Sequence, residues 1–121
     1  MRRLPAPAAL VLAVALGLTG CGGKGQSSSG PLPTKVIDVT ISGSSTTPSG
    51  QTIDVAVGQR IELRVTADAP GEIHVHSSPV EQEFQYDKGS STIEVTPIQA
   101  PGRIPVESHS LGKTLFILQA T

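Results

Sequence analysis

The stretch "IELRVTADAPGEIHVH", residues 61–76, decides the fold prediction for this chain. Its first half alternates apolar and polar residues, which is the period-two pattern of a strand with one buried face. The apolar positions are Ile61, Leu63 and Val65. The following "DAPG", residues 68–71, is typical of a turn, and the alternation then resumes in "EIHVH". The stretch therefore predicts two short strands joined by a tight turn.

The same alternation recurs along the rest of the chain, between segments rich in glycine, proline and serine. It marks about eight short strands, and the continuous apolar run at residues 115–118 predicts a buried last strand. No segment has the spacing of an amphipathic helix. We therefore predict an all-β domain over residues 36–121, built as an antiparallel sandwich or barrel.

The first 20 residues have the form of a secretory signal rather than of folded structure. Arg2 and Arg3 precede a short apolar run, residues 10–18, which ends in Leu-Thr-Gly-Cys at residues 18–21. That tetrad resembles the lipobox of bacterial lipoproteins. The resemblance implies cleavage before Cys21 and lipidation, for example with palmitate, of that residue. The alternative is an ordinary secretory signal with an unrelated cysteine.

Residues 21–35 then form a predicted flexible tether, since "GGKGQSSSGPLPTK" is rich in glycine, serine and proline. A lipid on Cys21 followed by this tether predicts a domain held at the cell membrane on its extracytoplasmic side. The membrane is thus a predicted partner, and the sequence does not identify a protein partner.

Composition excludes one further class of partner. Without Arg2 and Arg3, 7 basic side chains face 10 acidic ones, a formal charge of −3. The chain has only 2 phenylalanines, 1 tyrosine and no tryptophan, so base stacking and phosphate neutralisation both lack residues. We therefore expect no nucleic-acid binding.

All three histidines fall into two short motifs, "HVH" at 74–76 and "ESH" at 107–109. Side chains two apart on a strand share a face, so His74 and His76 lie together, as do Glu107 and His109. Imidazole and carboxylate groups are ligands for Cu(II) and Zn(II). The two motifs predict a metal site if the fold joins them. The alternative is that the histidines are only the solvent-facing residues of strands.

The segments "IDVAVGQRIELRV" (53–65), "DAPGEIHVH" (68–76) and "APGRIPVESHSLGKTLFILQA" (100–120) resemble the cupredoxin-like domains of small exported bacterial proteins. The resemblance implies a cupredoxin-like Greek-key β-sandwich. By its register, His74 matches the early copper histidine of that family and His109 the late one.

This chain departs from the blue-copper pattern in two places. The family's cysteine position falls at or near Val106 or Glu107, and no methionine stands at residues 111–114. A blue copper site needs a Cu–thiolate bond, so blue-copper electron transfer is not implied. The resemblance instead implies a possible non-blue copper site for storage, delivery or sensing. Its predicted ligands are His74, His109, His76 and Glu107.

Two alternatives remain open. His74-x-His76 followed by Glu81 also resembles the first metal motif of cupins, which would make the protein a metalloenzyme. The other is a metal-free β-sandwich with a structural or partner-binding role at the cell surface. No nucleophile motif is present, and we predict no catalytic residues and no enzyme activity.

Overall fold

The computed structural model describes residues 30–121. The predicted signal segment, Cys21 and most of the tether lie outside the described residues. Among residues 30–121, no helix is long and apolar enough to cross a membrane.

The described residues form nine strands in chain order, one more than the sequence predicts. They are β1 (Lys35–Ser42), β2 (Ser45–Thr47), β3 (Gln51–Val55), β4 (Ile61–Ala67), β5 (Gly71–Val75), β6 (Gln82–Tyr86), β7 (Gly89–Val95), β8 (Gly102–Ser108) and β9 (Lys113–Ala120). The additional strand is β2, which lies in a segment predicted as a turn. Its three polar residues pair with the end of β1, and so short a strand carries no apolar alternation for a sequence pattern to detect.

The strands form two sheets, with the orders β2-β1-β4-β7 and β3-β9-β8-β5-β6. The all-β sandwich is confirmed, but each sheet is mixed rather than purely antiparallel. β1 pairs with β4 in parallel, and β3 pairs with β9 in parallel. Alternation of apolar residues predicts which face of a strand is buried and carries no information about strand direction. The two parallel pairings could therefore not be predicted from this pattern.

The inner faces of both sheets enclose one hydrophobic core. β4 alternates as predicted, with the side chains of Ile61, Leu63 and Val65 buried. In β9, Leu115 and Phe116 are adjacent and both fully buried. The strand pairing explains this, because the register between β8 and β9 shifts after Val106. Such a bulge adds one extra residue to a strand and interrupts its alternation, so the side chains of two adjacent residues can both be buried in the core.

The strand β5 lies between β8 and β6 in the five-stranded sheet. Ile73 and Val75 have no exposed surface and belong to the core. Because successive side chains of a strand point to opposite faces, His74 lies on the outer face of this sheet. The sandwich thus presents the histidine motif outside its core.

Candidate metal centre on the outer face of the five-stranded sheet

The pairing of β5 with β8 joins the two histidine motifs. His74 lies directly opposite Glu107 in this antiparallel pair. One step further, the backbone N–H of His109 donates to the carbonyl oxygen of Glu72 at 3.3 Å. Directly opposed side chains on one face lie close enough to interact, and so do long diagonal neighbours. The register therefore brings the motifs at 74–76 and 107–109 together.

The loop between β5 and β6 adds the carboxylate of Glu81 to the cluster. The Ser77 hydroxyl, in a residue only 7% exposed, donates to the Val80 carbonyl at 2.7 Å. The side-chain amide of Gln82 donates to the same hydroxyl at 3.1 Å. These two hydrogen bonds join residues that are three and five positions apart, and so they hold the loop in a compact turn. The loop thereby places Glu81 beside His74 and His76.

Glu81 contacts both imidazoles of the "HVH" motif. Its Oε2 lies 2.9 Å from Nε2 of His74, and its Oε1 lies 3.4 Å from Nδ1 of His76. One ligand atom from each of these three residues lies within 4.8 Å of the others. Two atoms bound to one ion at about 2.0–2.1 Å are at most about 4.2 Å apart. The longest separation would need to shorten by about half an ångström for all three atoms to reach one ion, and the Glu81 side chain is 60% exposed.

The remaining nitrogen of His76 faces a second carboxylate. Nε2 of His76 lies 3.0 Å from Oε2 of Glu107. The hydroxyl of Thr114, opposite Glu107 on β9, donates to the other oxygen of Glu107 at 3.2 Å. Glu107 thus contacts Thr114 of β9 on one side and His76, which directly follows β5, on the other. Its hydrogen bond orients the His76 ring.

The remaining nitrogen of His74 faces the third histidine. Nδ1 of His74 lies 2.9 Å from Nε2 of His109, and the two rings meet edge to face with centroids 4.7 Å apart. Nδ1 of His109 in turn lies 3.0 Å from Oε1 of Glu72. The Gln85 side-chain amide donates to the other oxygen of Glu72. His74 is the most enclosed histidine, with its side chain 8% exposed.

Three ionisable side chains of the cluster have displaced pKa values: His76, Glu81 and Glu107. Partial desolvation lowers the pKa of His76, but the hydrogen bonds and negative charges of Glu107 and Glu81 outweigh it, so the pKa is raised overall. The hydrogen bond from His76 lowers the pKa of Glu81 against the opposing effect of desolvation. The same bond lowers the pKa of Glu107 in the same way. The two carboxylates thus stabilise the protonated form of the His76 imidazole relative to its neutral form.

All four side chains predicted as ligands, His74, His76, Glu107 and His109, lie in this one cluster. Whether each of them binds a metal stays a prediction. The predicted set omitted Glu81, whose carboxylate contacts two of the histidines. The signal for it was present in the sequence, since Glu81 follows the "HVH" motif, but it supported only the cupin alternative.

The donor set fits a borderline divalent ion. Imidazole nitrogens and carboxylate oxygens suit Cu(II) and Zn(II), whereas soft ions such as Cu(I) prefer sulfur. Residues 30–121 contain neither cysteine nor methionine. Of the two residues at the family's cysteine position, Val106 is fully buried in the core and Glu107 lies on the outer face. These residues cannot supply the thiolate of a blue copper site.

No family model matches the chain, and no curated protein does. Similar solved structures are found. A Cu(I) form of an amicyanin mutant has a TM-score of 0.54 at 12% identity, over 71% of this chain and 82% of that one. A purple cupredoxin from Nitrosopumilus maritimus has a TM-score of 0.52 at 11% identity, over 72% and 99%.

A third structure, reduced auracyanin from Roseiflexus castenholzii, has a TM-score of 0.51 at 13% identity, over 76% of this chain and 99% of that one. At such low identity these likenesses establish the fold and carry no assignment of activity. The jelly roll of the cupin alternative is built from antiparallel strands, whereas here β1 pairs with β4 and β3 pairs with β9 in parallel. The described part of the chain is an all-β sandwich with the cupredoxin-like fold.

Proposed function

We propose that this protein binds one divalent copper ion on the outer face of its five-stranded sheet. The ligands are His74, His76 and Glu81. One observation carries the proposal: two imidazoles and a carboxylate, from a strand end and the loop after it, converge within 4.8 Å. The neighbouring His109 and Glu107, which the sequence predicts as ligands, complete the cluster.

Copper is favoured over other divalent ions for two reasons. Sites of nitrogen and oxygen ligands bind Cu(II) most tightly in the first-row series. The amicyanin neighbour is also named as a Cu(I) form, and the other two are a cupredoxin and an auracyanin, although those names describe those proteins. Without a thiolate in residues 30–121, the role of this site is storage, delivery or sensing of copper rather than blue-copper electron transfer.

The proposal includes export and membrane anchoring. Cleavage before Cys21 and lipidation of that residue would leave the domain on a short tether at the extracytoplasmic side of the cell membrane. A site open to solvent on such a domain would encounter metal ions arriving from outside the cytoplasm. Replacing Cys21 with alanine should release the protein from the membrane fraction, and mass spectrometry of the wild type should find the lipid on Cys21.

Calorimetric titration of the metal-free protein with Cu(II) and Zn(II) near neutral pH tests the metal site. We expect one-to-one binding, tighter for Cu(II), that is lost in His76→Ala and Glu81→Ala. Glu83→Ala is the matched control, because Glu83 lies opposite His74 on β6 and is exposed. Absence of stoichiometric binding to the wild type would refute the proposal and favour the metal-free, partner-binding sandwich.

A further inference from the structure

We propose that the end of the sandwich at which the tether enters is an apolar surface that rests on the lipid bilayer. This end, called the tether end below, carries the start of β1 and the loops that follow β3, β5 and β7. The inference goes beyond metal binding and rests on the proposed anchoring at Cys21. It commits to lipid, rather than a protein, as the partner of this surface.

The register of the four-stranded sheet defines the tether end. Lys35 of β1 and Val95 of β7 both pair with Ile61, the first residue of β4. The last residue of β4, Ala67, pairs with Gly89 at the start of β7. Since β4 has 7 residues and a strand rises about 3.3 Å per residue, about 20 Å separates the tether end from the opposite end.

Exposed apolar side chains are gathered at this end. Within residues 30–121, the large apolar residues that are exposed are Leu32, Val36 and Val80, with exposed fractions of 47%, 39% and 69%. Val36 and Pro97 line one cavity, and Val80 and Pro97 line a second. Val36 and Val80 therefore lie on two sides of Pro97, which directly follows β7 and its neighbour Thr96.

Leu32 is held at the same end by two hydrogen bonds. The carbonyl oxygen of the next residue, Pro33, accepts from the side-chain amide of Gln59 at 2.9 Å. Gln59 lies in the loop after β3, where the N–H of Gly58 donates to the carbonyl oxygen of Ile98 at 2.9 Å. These contacts attach the incoming chain to the segment that also borders Val36 and Val80.

The surface around Val80 is an apolar groove with fixed walls. Residues 77–80 form one wall and residues 96–99 the other, and the exposed lining is mainly apolar. Gln82 joins the walls, because its amide donates to the Thr96 carbonyl at 3.2 Å and its side-chain oxygen accepts from the Thr96 N–H at 2.8 Å. A single exposed apolar residue is ordinary, whereas several gathered around a groove mark an interaction site.

The length of the predicted tether favours lipid as the partner. Gly30, the first described residue, is nine residues from Cys21 (30 − 21). A chain of this length and glycine-rich composition has an end-to-end distance of about 15–18 Å, which is less than the roughly 20 Å between the two ends of the sandwich. A lipid on Cys21 therefore brings the tether end, rather than the opposite end, to the bilayer. Because the anchor confines the domain near the membrane, a weak apolar contact is enough to orient it.

Tryptophan fluorescence measures this orientation, since the natural sequence contains no tryptophan. The chain from Cys21 onward is coupled through that residue, its only cysteine, to a maleimide lipid in phosphatidylcholine vesicles. Ser78→Trp places a reporter on an exposed position of the groove wall. Lys88→Trp, the matched control, places the same ring on the exposed turn before β7, at the opposite end.

Brominated phosphatidylcholine should quench the emission of Ser78→Trp and leave that of Lys88→Trp unchanged. Adding Val80→Ser to Ser78→Trp should reduce the quenching, because it removes an exposed apolar side chain from the contact. Equal quenching of the Ser78→Trp and Lys88→Trp reporters, or quenching of neither, would overturn the proposal and leave this end open to a protein partner. Quenching that Val80→Ser does not change would show that the groove makes no contact with lipid.

The result does not depend on the proposed function. The maleimide lipid attaches the chain whether or not a cell lipidates Cys21, and the experiment is done without metal. Lipidation is tested separately by mass spectrometry and by the membrane fractionation of Cys21→Ala. A protein that lacks the natural lipid but shows selective quenching of Ser78→Trp would refute the anchor and retain the lipid-binding surface.

Discussion

The close packing of Gly71 against Tyr86 gives the sharpest test of the structure. Gly71 begins β5 and lies opposite Tyr86 of β6. A Cβ added to Gly71 would lie 2.6 Å from Cζ of the Tyr86 ring and 2.6 Å from the hydroxyl oxygen of Ser110. Ordinary contacts of a Cβ begin near 3.4 Å, so Gly71→Ala must displace the ring, the serine or the strand. Tyr86 is only 5% exposed and has little room to move.

The cost follows from two opposing effects. Overpacking of this kind destabilises by about 1–3 kcal/mol. Losing a glycine also restricts the unfolded chain, which offsets about 0.4–1 kcal/mol. Because two neighbours must move, we expect a net loss of about 1–2 kcal/mol, with a melting temperature about 4–8 °C lower for each kcal/mol.

Urea denaturation of the metal-free protein measures this loss. Gly30→Ala is the matched control, since no heavy atom lies within 4 Å of the added Cβ there and stability should not fall. Ser110 is next to His109, so Gly71→Ala should also weaken metal binding by displacing that loop. A Gly71→Ala protein as stable as the wild type would show that Tyr86 does not pack on Gly71 and would refute the reasoning.

Three further predictions address the cluster and the core. The pKa of His76 is raised, so its contribution to metal-free stability is complete below the ordinary value of 6.5 and is lost as pH rises through the raised value. The pKa values of Glu81 and Glu107 are lowered, so the stabilisation that these two carboxylates contribute is complete above the ordinary value of 4.5 and is lost as pH falls through the lowered values. The urea midpoint should therefore be highest between about pH 4.5 and 6.5, and His76→Gln should flatten that maximum; an unchanged profile would contradict it. Copper affinity, by contrast, should rise as pH increases through the raised pKa of His76, because ligation needs neutral imidazole, and calorimetry in buffers of different ionisation enthalpy should detect proton release. Phe116→Ala should cost about 3–5 kcal/mol in urea unfolding, since that ring is fully buried, and a loss below about 1 kcal/mol would place it outside the core.

The sequence predicted the strands better than their arrangement. β4 was predictable because Ile61, Leu63 and Val65 alternate over a full strand, and burial follows that period. The parallel pairings of β1 with β4 and of β3 with β9 depend on long-range contacts that no local pattern records. The bulge after Val106 was likewise absent from the pattern, although the adjacent apolar residues Leu115 and Phe116 are its consequence.

The site was predictable in part for the same reason. His74 and His109 are 35 residues apart, and their proximity was predicted by the register of a family resemblance rather than by their spacing. Glu81 is brought to the histidines by hydrogen bonds within the loop after β5, through Ser77 and Gln82. The alternation that places side chains on a strand face does not extend into such a loop. The contact of Glu81 with the histidines could therefore be suggested only by the motif of two histidines followed by a glutamate.

The pairing of β3 has a consequence for how this protein is made. β3 has one neighbour in its sheet, β9, and Gln51 pairs with Phe116, which is 65 residues later (116 − 51). The edge strand therefore finds no partner until the final strand has been synthesised. Proteins dominated by contacts so distant in sequence fold slowly, in about milliseconds to seconds. The four-stranded sheet, by contrast, needs no residue beyond Val95, so its strands can pair while β8 and β9 are still being synthesised, and the five-stranded sheet is completed last.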